Sequence, residues 1–371
     1  MTRYESTIRS LLGLAEIEIN GSRPWDIQIN DERFYQRVLA NAHIGFGESY
    51  MDGWWDCDQL DNLIHKVLRA GLEEKIKPLK LLGPVIAAKL FNRQKMSRAY
   101  QVGEHHYDMG NDMFKLMLDE RMVYTCAYWK DATDLNTAQE AKLDLVCRKI
   151  GLAPGMKVLD IGCGWGSFAK FAAEKYQAEV VGITVSREQI ELGRQMCEGL
   201  PVELKYQDYR DLNGDFDRIV SLGMFEHVGV KNYRTFMKVV DQCLRPNGMF
   251  LLQTIGCTKK ANAVDPWADK YIFPNGILPT PAQLTRASEE LFHIEDWHNL
   301  NVSYAKTLMA WMKRFDENWG DIRELGYDDR FYRMWRFFLM TAAGSFRARR
   351  VHLWQVVYSN NGVEGGYESI R

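Results

Sequence analysis

The feature that most constrains this chain is a glycine-rich stretch that follows a short apolar run near its middle. Residues 157–161 read Lys-Val-Leu-Asp-Ile, glycines follow at positions 162, 164 and 166, and a helical pattern begins near Ser167. Glycine permits positive φ and lets a ligand lie against the backbone. The exposed N–H groups of such a turn, with the helix N-terminus behind it, favour a polar or anionic ligand group. The pattern therefore predicts a strand, a ligand-binding turn and a helix.

The spacing of these glycines separates two kinds of nucleotide site. It is G-x-G-x-G, and not the G-x-G-x-x-G of dinucleotide-binding proteins. With Asp160 just before it, the stretch resembles the loop of class I S-adenosylmethionine (SAM) methyltransferases. The resemblance implies that SAM binds at this turn.

Length and composition narrow the class of protein. At 371 residues, with 46% hydrophobic and 26% charged residues, we expect a soluble chain with one large core and an appendage. A net charge of −2 gives no sign of a nucleic-acid partner. No apolar run approaches the roughly 18 residues that span a bilayer, and the first residues are too charged for a signal peptide. Scattered cysteines without a C-x-x-C pair suit reduced cytoplasmic thiols, and no histidine spacing indicates a metal site.

The sequence before residue 76 predicts a small mixed α/β domain, 1–75. Ile17 and Ile19 alternate with charged residues and precede a turn and Ile27 and Ile29, which indicates a hairpin. Helical patterns cover residues 32–41 and 59–70. The aromatic stretch 47–56 between them is interpreted as a loop whose two tryptophans, 54 and 55, anchor a small core.

A basic linker, 76–103, follows this domain. Seven Lys or Arg residues and no acidic residue occur from Lys75 to Gly103, with apolar residues near helical spacing. Such a segment can lie on an anionic membrane, where each basic residue contributes roughly 1 kcal/mol. A solvated linker fits the sequence equally well, and Pro78 and Pro84 limit any continuous helix.

From 104 to 371 the sequence predicts the catalytic domain. Strand and helix patterns alternate, as in a parallel α/β sheet. We predict a Rossmann-like sheet of seven strands, at 157–161, 179–183, 202–206, 216–221, 248–253, 291–295 and 351–358. Long amphipathic helices are predicted at 303–319 and 329–349. A further helix ends before the Arg-Pro-Asn-Gly that starts at Arg245.

Polar residues follow the predicted strands where a sheet of this type binds its ligands, beyond the carboxyl ends. They are Thr184, Gln189, Asp208, Tyr209, Glu226 and Gln253. Each has a structural alternative: Thr184 or Ser186 can cap a helix, and Glu226 can favour a helix N-terminus. Their convergence on one edge predicts a single site.

Several longer motifs make the chain resemble one family, the bacterial cyclopropane-fatty-acyl-phospholipid synthases, and over its core the mycolic acid cyclopropane synthases. The shared motifs run in order through nearly the whole chain, at 47–55, 106–112, 124–129, 158–166, 225–227, 265–267, 271–276 and 346–349.

This resemblance implies a reaction. A methylene group passes from SAM to the cis double bond of an unsaturated phospholipid acyl chain, through a carbocation that bound bicarbonate deprotonates. The implied catalytic residues are Cys126, Glu226, Gln253, Ile255 and Tyr304. The implied cofactor-binding residues are Tyr124, Thr125, Asp160, Gly162, Gly164, Gly166, Thr184, Gln189, Asp208 and Tyr209. Aromatic candidates for stabilising the cation are Tyr128, Trp129, Phe273 and Tyr304.

Two residues carry more specific expectations. Gln253 stands where the family usually has a bicarbonate-contacting histidine, and glutamine cannot carry a proton or a positive charge. We expect altered anion affinity or pH dependence rather than loss of activity. Cys126 is expected to be a buried scaffold residue and not a nucleophile.

The resemblance also implies partners and a location. We expect an enzyme that is cytoplasmic and peripheral on the inner face of the cytoplasmic membrane, with an anionic membrane surface as partner, and a homodimer. Three alternatives stay open: a methyl-branched or methylene product, methylation of small amines, and a non-catalytic SAM-binding protein.

Overall fold

The computed structural model describes residues 2–75, 110–259 and 265–371. The predicted basic linker, 76–103, and the first part of the 106–112 motif lie outside these residues. The described chain divides into two compact units. The first contains residues 2–75, 265–274 and 305–351, and the second contains residues 110–259, 275–304 and 352–371. The domain boundaries at 75 and 103 stay a prediction. The segments 265–274 and 305–351 belong to the same compact unit as the N-terminal residues.

The helices of the described residues are α1 (Arg3–Gly13), α2 (Arg33–Met51), α3 (Leu60–Arg69), α4 (Leu72–Lys75), α5 (Asn111–Met117), α6 (Leu135–Lys149), α7 (Ser167–Tyr176), α8 (Arg187–Met196), α9 (Tyr233–Cys243), α10 (Pro266–Tyr271), α11 (Pro281–Ser288), α12 (Asn301–Glu317), α13 (Trp319–Glu324) and α14 (Asp329–Arg347). The strands are β1 (Gln28–Ile29), β2 (Trp55–Asp56), β3 (Lys157–Ile161), β4 (Glu179–Thr184), β5 (Val202–Tyr206), β6 (Phe216–Leu222), β7 (Leu244–Gly256), β8 (His293–Asn299) and β9 (His352–Ser359). Short 3₁₀ turns occur at Tyr209–Asp211, Phe225–His227 and Val230–Asn232.

The second unit is built on a seven-stranded sheet in the order β5-β4-β3-β6-β7-β9-β8. The strands from β5 to β7 are parallel, and β9 is antiparallel to both β7 and β8. The predicted fold class, a Rossmann-like α/β sheet of seven strands, is confirmed. The bounds of β3 and β5 agree with the prediction. β8 begins two residues later than predicted. β7 begins earlier than predicted, at Leu244, because Leu244 already pairs with Phe216 of β6.

Both faces of this sheet are covered, as near-continuous apolar strands require. Successive residues of a strand point to opposite faces. Val158 therefore joins an apolar cluster with Val146 of α6 and Phe168 of α7. Leu159 joins a second cluster, with Phe236 of α9, on the other face. This two-sided core fixes the carboxyl ends of the parallel strands at one edge.

In the first unit, the predicted hairpin is wrong. Ile19 and Ile27 meet only in an isolated bridge, and β1 pairs with β2 instead. The turn between Ile19 and Ile27 is stabilised by the buried carboxylate of Asp26. It accepts hydrogen bonds from the backbone N–H groups of Glu18 at 2.8 Å and Arg23 at 3.0 Å. A side chain that supplies acceptors to the turn makes a continuous ladder unnecessary.

The aromatic stretch 47–56 also differs from its prediction. Helix α2 continues to Met51, with non-helical dihedrals at Ala42, and is longer than the predicted helix 32–41. Trp55 is fully buried, as expected of a core anchor. Trp54 is only half-buried, and the guanidinium groups of Arg33 and Arg37 lie over its ring at 4.5 and 4.7 Å. One tryptophan therefore anchors the core, and the other stacks with cations.

Candidate active site

The glycine turn after β3 has the backbone that its sequence predicts. Gly162, Gly164 and Gly166 have φ values of 85°, 56° and 79°. A Cβ on Gly162 would lie 2.6 Å from the Cβ of Met224, so a larger residue would displace the segment that leads to Glu226. The N–H groups of Gly162 and Cys163 both donate to the carbonyl of Ile183. These two N–H groups shape the turn rather than face a ligand.

Two cofactor-binding candidates, Thr184 and Gln189, lie together beside this turn. The hydroxyl of Thr184 donates to Oε1 of Gln189 over 3.3 Å, and both side chains are buried. A Cβ on Gly164 would be 3.9 Å from Nε2 of Gln189, which places that amide next to the glycines. Ser186, and not Thr184, caps α8 by accepting from the N–H of Gln189. Thr184 is therefore not used as a helix cap.

Asp208 and Tyr209 follow β5 at the same edge, because the N–H of Gln207 donates to the carbonyl of Thr184. The buried carboxylate of Asp208 accepts from the backbone N–H of Arg210 at 2.9 Å and from its guanidinium at 3.0 Å. Tyr209 is buried and packs edge-on against Phe236, with ring centroids 5.3 Å apart. Arg210, which the sequence reasoning missed, thus neutralises the predicted cofactor carboxylate.

The segment with Tyr124, Thr125 and Cys126 is held by buried polar side chains that the sequence reasoning also missed. Gln139 of α6 donates through Nε2 to the carbonyls of Val123 at 3.2 Å and Thr125 at 2.8 Å. Lys142, one turn later, donates through Nζ to the hydroxyl of Thr125 at 3.0 Å. Two polar residues three apart, on the face of α6 that also carries Leu143 and Val146, are the sequence signal for this arrangement.

Cys126 is fully buried, and its thiol donates to the carbonyl of Ala127 at 3.1 Å. This placement agrees with the expected scaffold role, which stays a prediction. Nearby, the N–H of Trp129 donates to the hydroxyl of Ser303 at 3.3 Å, which joins the 124–129 segment to the residue before Tyr304. Tyr304 is half-buried. Phe273 belongs to the first unit, where it packs edge-on against Phe338.

Glu226 lies in the short turn after β6 and is buried. Its Oε1 accepts from the backbone N–H of Ile255 at 2.6 Å, and its Oε2 is buried with no hydrogen-bond partner among the described residues. Burial raises the pKa of this carboxyl from 4.5 to about 7, and the bond from Ile255 opposes the rise. The N–H of Ile255 is thus taken by Glu226 and orients that carboxylate.

Gln253 lies on β7, two residues before Ile255, and pairs across the ladder with Gln355 of β9. Both side chains are fully buried, and Nε2 of Gln355 donates to Oε1 of Gln253 at 2.9 Å. Nε2 of Gln253 and Oε1 of Gln355 are buried without a partner among the described residues. Gln355, which the sequence reasoning did not single out, therefore fixes the amide of Gln253.

Asp160 is buried at the end of β3. Burial raises its pKa to about 7, and the positive charge of Lys142 opposes the rise. Among residues 2–75, 110–259 and 265–371, no three His, Cys, Asp or Glu side chains are placed to hold a metal ion. Within the same residues no helix is long and apolar enough to cross a membrane.

These residues fit SAM. Positive-φ glycines leave no side chain over the turn, and Thr184, Gln189 and the 124–126 segment surround the same edge of the sheet. Buried polar atoms of Glu226 and Gln253 that have no partner among the described residues lie at the ends of the neighbouring strands. The strand order and this edge together define a SAM-dependent methyltransferase.

Within that class, residues 94–356 match the family model described as mycolic acid cyclopropane synthetase. The chain belongs to this family, which confirms the resemblance found in its motifs.

The relatives span most of the chain. It is 54% identical over 362 residues to the cyclopropane-fatty-acyl-phospholipid synthase of Escherichia coli K12, covering 97% of this chain and 94% of that protein. It is 32% identical to the tuberculostearic acid methyltransferase UfaA1 of Mycobacterium tuberculosis, covering 86% and 79%. Among solved structures, the mycolic acid cyclopropane synthase CmaA1, complexed with SAH and CTAB, is 30% identical with a TM-score of 0.65, covering 70% of this chain and 98% of that one.

Proposed function

We propose that this methyltransferase adds a methylene group from SAM to the cis double bond of unsaturated phospholipid acyl chains and so forms a cyclopropane ring. The observation that carries the proposal is the 54% identity, over nearly the full length, to a cyclopropane-fatty-acyl-phospholipid synthase. The buried Oε2 of Glu226, which has no partner within residues 2–75, 110–259 and 265–371, supports it. Because the chain belongs to a family of synthases, we do not adopt the non-catalytic alternative.

The chemistry sets what the residues must do. The alkene π electrons bond to the SAM methyl carbon as its bond to sulfur breaks, which leaves S-adenosylhomocysteine and a carbocation on the acyl chain. Loss of a proton from the added methyl group then lets its C–H electrons close the ring. The alkene must lie in line with the sulfonium methyl, and water must be excluded. We assign the faces of Tyr128, Trp129 and Tyr304 to stabilising the cation.

The base that we propose is bicarbonate, as the family resemblance implies. When bound, it supplies the proton acceptor for ring closure. Oε2 of Glu226 needs a donor, and Nε2 of Gln253 needs an acceptor. A small anion that carries one proton satisfies both needs. The backbone of Ile255 orients Glu226, and Cys126 is a buried scaffold residue of the site. Tyr304 of α12 is a further residue that the family resemblance assigns to holding the anion.

Purified protein incubated with SAM and vesicles of unsaturated phospholipid tests this reaction. We expect acyl chains heavier by one methylene that have lost the olefinic proton signals and gained cyclopropane signals in the proton NMR spectrum. Depletion of bicarbonate should lower turnover, and added bicarbonate should restore it. Unchanged acyl chains under conditions in which the protein binds SAM would contradict the lipid assignment. Bicarbonate-independent turnover would overturn only the proposed base.

A second product is favoured by one observation, the similarity to a tuberculostearic acid methyltransferase. If a 1,2-hydride shift first moves the positive charge onto the carbon that carries the new methyl group, loss of a proton from that methyl gives a methylene chain. Reduction of that product by a further enzyme with a hydride donor would give a methyl branch. Mass alone does not separate the ring from a methylene chain, and the cyclopropane hydrogens in the NMR spectrum do. A parallel incubation with small amines tests the N-methyltransferase alternative.

We further propose that the protein works as a homodimer on an anionic membrane surface, peripheral on the inner face of the cytoplasmic membrane. The lipid substrate and the basic composition of residues 75–98 support this proposal. Sedimentation with vesicles should increase with anionic lipid and fall with salt. Light scattering tests the dimer. Equal binding to neutral and anionic vesicles would contradict the electrostatic part.

A further inference from the structure

Lys142 is a lysine with 1% exposure on α6, the helix that contacts Val123 and Thr125. Burying a charged amine costs several kcal/mol unless partners compensate. An apolar side chain of the same length would fill the space without that cost. A buried amine at this position therefore calls for a polar role.

The contacts of Lys142 indicate the role. Its Nζ donates to the hydroxyl oxygen of Thr125 at 3.0 Å. Its charge interacts with the carboxylates of Asp119 and Asp160, although burial still lowers its pKa to about 8. Asp119 is itself tied to the segment, because its carboxylate accepts from the backbone N–H groups of Arg121 and Val123. Lys142 thus links the β3 end, α6 and the residue that the SAM assignment needs.

The direction of the hydrogen bond between Lys142 and Thr125 also determines where the Thr125 hydroxyl hydrogen points. A lysine ammonium has donors and no acceptor. The Thr125 hydroxyl must therefore accept from Lys142, and its own hydrogen points away from the amine. Thr125 is half-buried, so the residue is not closed off from a ligand.

The other side of Thr125 is fixed by packing. Its methyl carbon lies 3.0 Å from where a Cβ on Gly223 would be, at the end of β6. Gly223 has a φ of 78°, and its N–H donates to the carbonyl of Gln253 at 2.9 Å. The methyl of Thr125 is held against the strand end, and its hydroxyl is held by Lys142.

We propose that Lys142 is a positioning residue that makes the Thr125 hydroxyl a hydrogen-bond donor toward SAM. This inference rests on the proposed placement of Thr125 in the cofactor site, and it does not depend on which lipid product forms. Lys142 itself acts through Thr125 and does not touch the reacting atoms.

The chain offers a matched control on the same helix. Lys149 of α6 is also fully buried, and its Nζ binds Asp296 at 3.2 Å and Nδ1 of His298 at 3.1 Å, apart from the 123–126 segment. Lys142→Met and Lys149→Met therefore remove the same group from the same helix at equal burial. Only the first removes the donor to Thr125.

The experiment measures binding of S-adenosylhomocysteine by calorimetry and the SAM KM in the full-length protein. Lys142→Met should weaken binding about tenfold or more and raise the KM for SAM more than it lowers kcat. Lys149→Met should leave binding within about twofold. Thr125→Val should weaken binding similarly, and the double variant Lys142→Met with Thr125→Val should be little worse than either single variant.

Three results would overturn the inference. The first is wild-type affinity in Lys142→Met. The second is equal loss of affinity in Lys149→Met, which would indicate general damage to the helix. The third is additive losses in the double variant, which would show that Lys142 does not act through Thr125. Failure of the wild-type protein to bind S-adenosylhomocysteine would instead count against the proposed function.

Discussion

Glu226 has two carboxylate oxygens in different situations. One accepts from the backbone of Ile255, and the other is buried without a partner among the described residues. Its pKa is raised to about 7 by burial, so near neutral pH both protonation states are populated. This single group therefore links the pH dependence of activity to that of stability.

The first prediction concerns activity. The proposed anion carries a proton that only ionised Glu226 accepts, so kcat/KM should rise as pH increases through about 7. Glu226→Gln should lower kcat/KM by about a hundredfold or more and remove the rise with pH. Steady-state kinetics from pH 5.5 to 8.5 measure both effects. A Glu226→Gln variant that keeps the native pH profile would assign the ionisation to another group.

The second prediction concerns folding. The pKa of Glu226 is higher in the folded protein than its ordinary 4.5, so the native state binds the proton more tightly than the unfolded chain. The free energy of unfolding therefore falls as pH rises from about 4.5 to about 7, by about 3 kcal/mol for this group. Glu226→Gln should be more stable than the native protein at pH 8, and the difference should vanish near pH 4.5.

Urea unfolding of both proteins at the two pH values tests this sign. Glu203→Gln is the control, because Glu203 is exposed and pairs with Lys205 at 2.9 Å. A Glu226→Gln variant that is less stable at pH 8 would mean that the charged form is favoured by contacts inside the fold.

At the scale of elements, the packing of α2 against α10 and α14 explains two of the sequence motifs. Gly47 of α2 leaves room for the indole of Trp267 and for Phe337. Glu48 binds Arg37 at 2.7 Å and Lys270 at 2.6 Å. The motifs at 47–55 and 265–267 thus meet in the first unit and hold its helices together.

The third prediction follows from this packing. A Cβ on Gly47 would lie 2.6 Å from Cδ1 and Nε1 of Trp267 and 2.8 Å from Phe337. Gly47→Ala should destabilise the protein by about 1–3 kcal/mol through overpacking. Gly13→Ala in α1 is the control, because nothing lies within 4 Å of its Cβ position. It should be neutral or slightly stabilising. Thermal unfolding compares the two, and equal midpoints would refute the packing argument.

The same elements show what a sequence can and cannot predict. The strands of the large sheet were predicted well, since buried parallel strands read as short apolar runs between helices. The hairpin and the length of α2 were predicted wrongly. Asp26 stabilises the turn region and Glu48 stabilises the end of α2, through contacts that sequence periodicity does not reveal. Glu48 contacts Lys270, which is 222 residues away in the sequence. Lys142 and Gln139 were missed because their partners are distant backbone and hydroxyl groups.

At the scale of the whole molecule, the two units are interleaved along the chain. Helices α10 and α14 belong to the unit of the N-terminal segment, although they come after the first strands of the large sheet. In α14, Gly344 leaves room for the backbone of Asp61 and for Ile64 of α3, and Arg347 binds the Asp61 carboxylate. The N-terminal segment is therefore packed against later parts of the sequence.

The fourth prediction tests this interleaving. A truncated chain, 104–371, loses α2 and α3 and so exposes the buried faces of Trp267, Phe337 and Gly344. We expect poor solubility or a lower unfolding midpoint, with increased binding of a hydrophobic dye. Differential scanning calorimetry and dye fluorescence measure this. A soluble truncated chain with the native midpoint would show that the predicted boundary at 103 separates independent domains.

The position of β9, between β7 and β8 in the sheet, has a consequence for biosynthesis. β8 reaches the sheet only through β9, which is translated later. While the ribosome is still making residues 300–351, the edge of β7 that will pair with β9 is open. Gln253 then has no Gln355 to pair with. An unpaired edge attracts other strands, so the edge of β7 is open to incorrect pairing until residues 352–359 have been made.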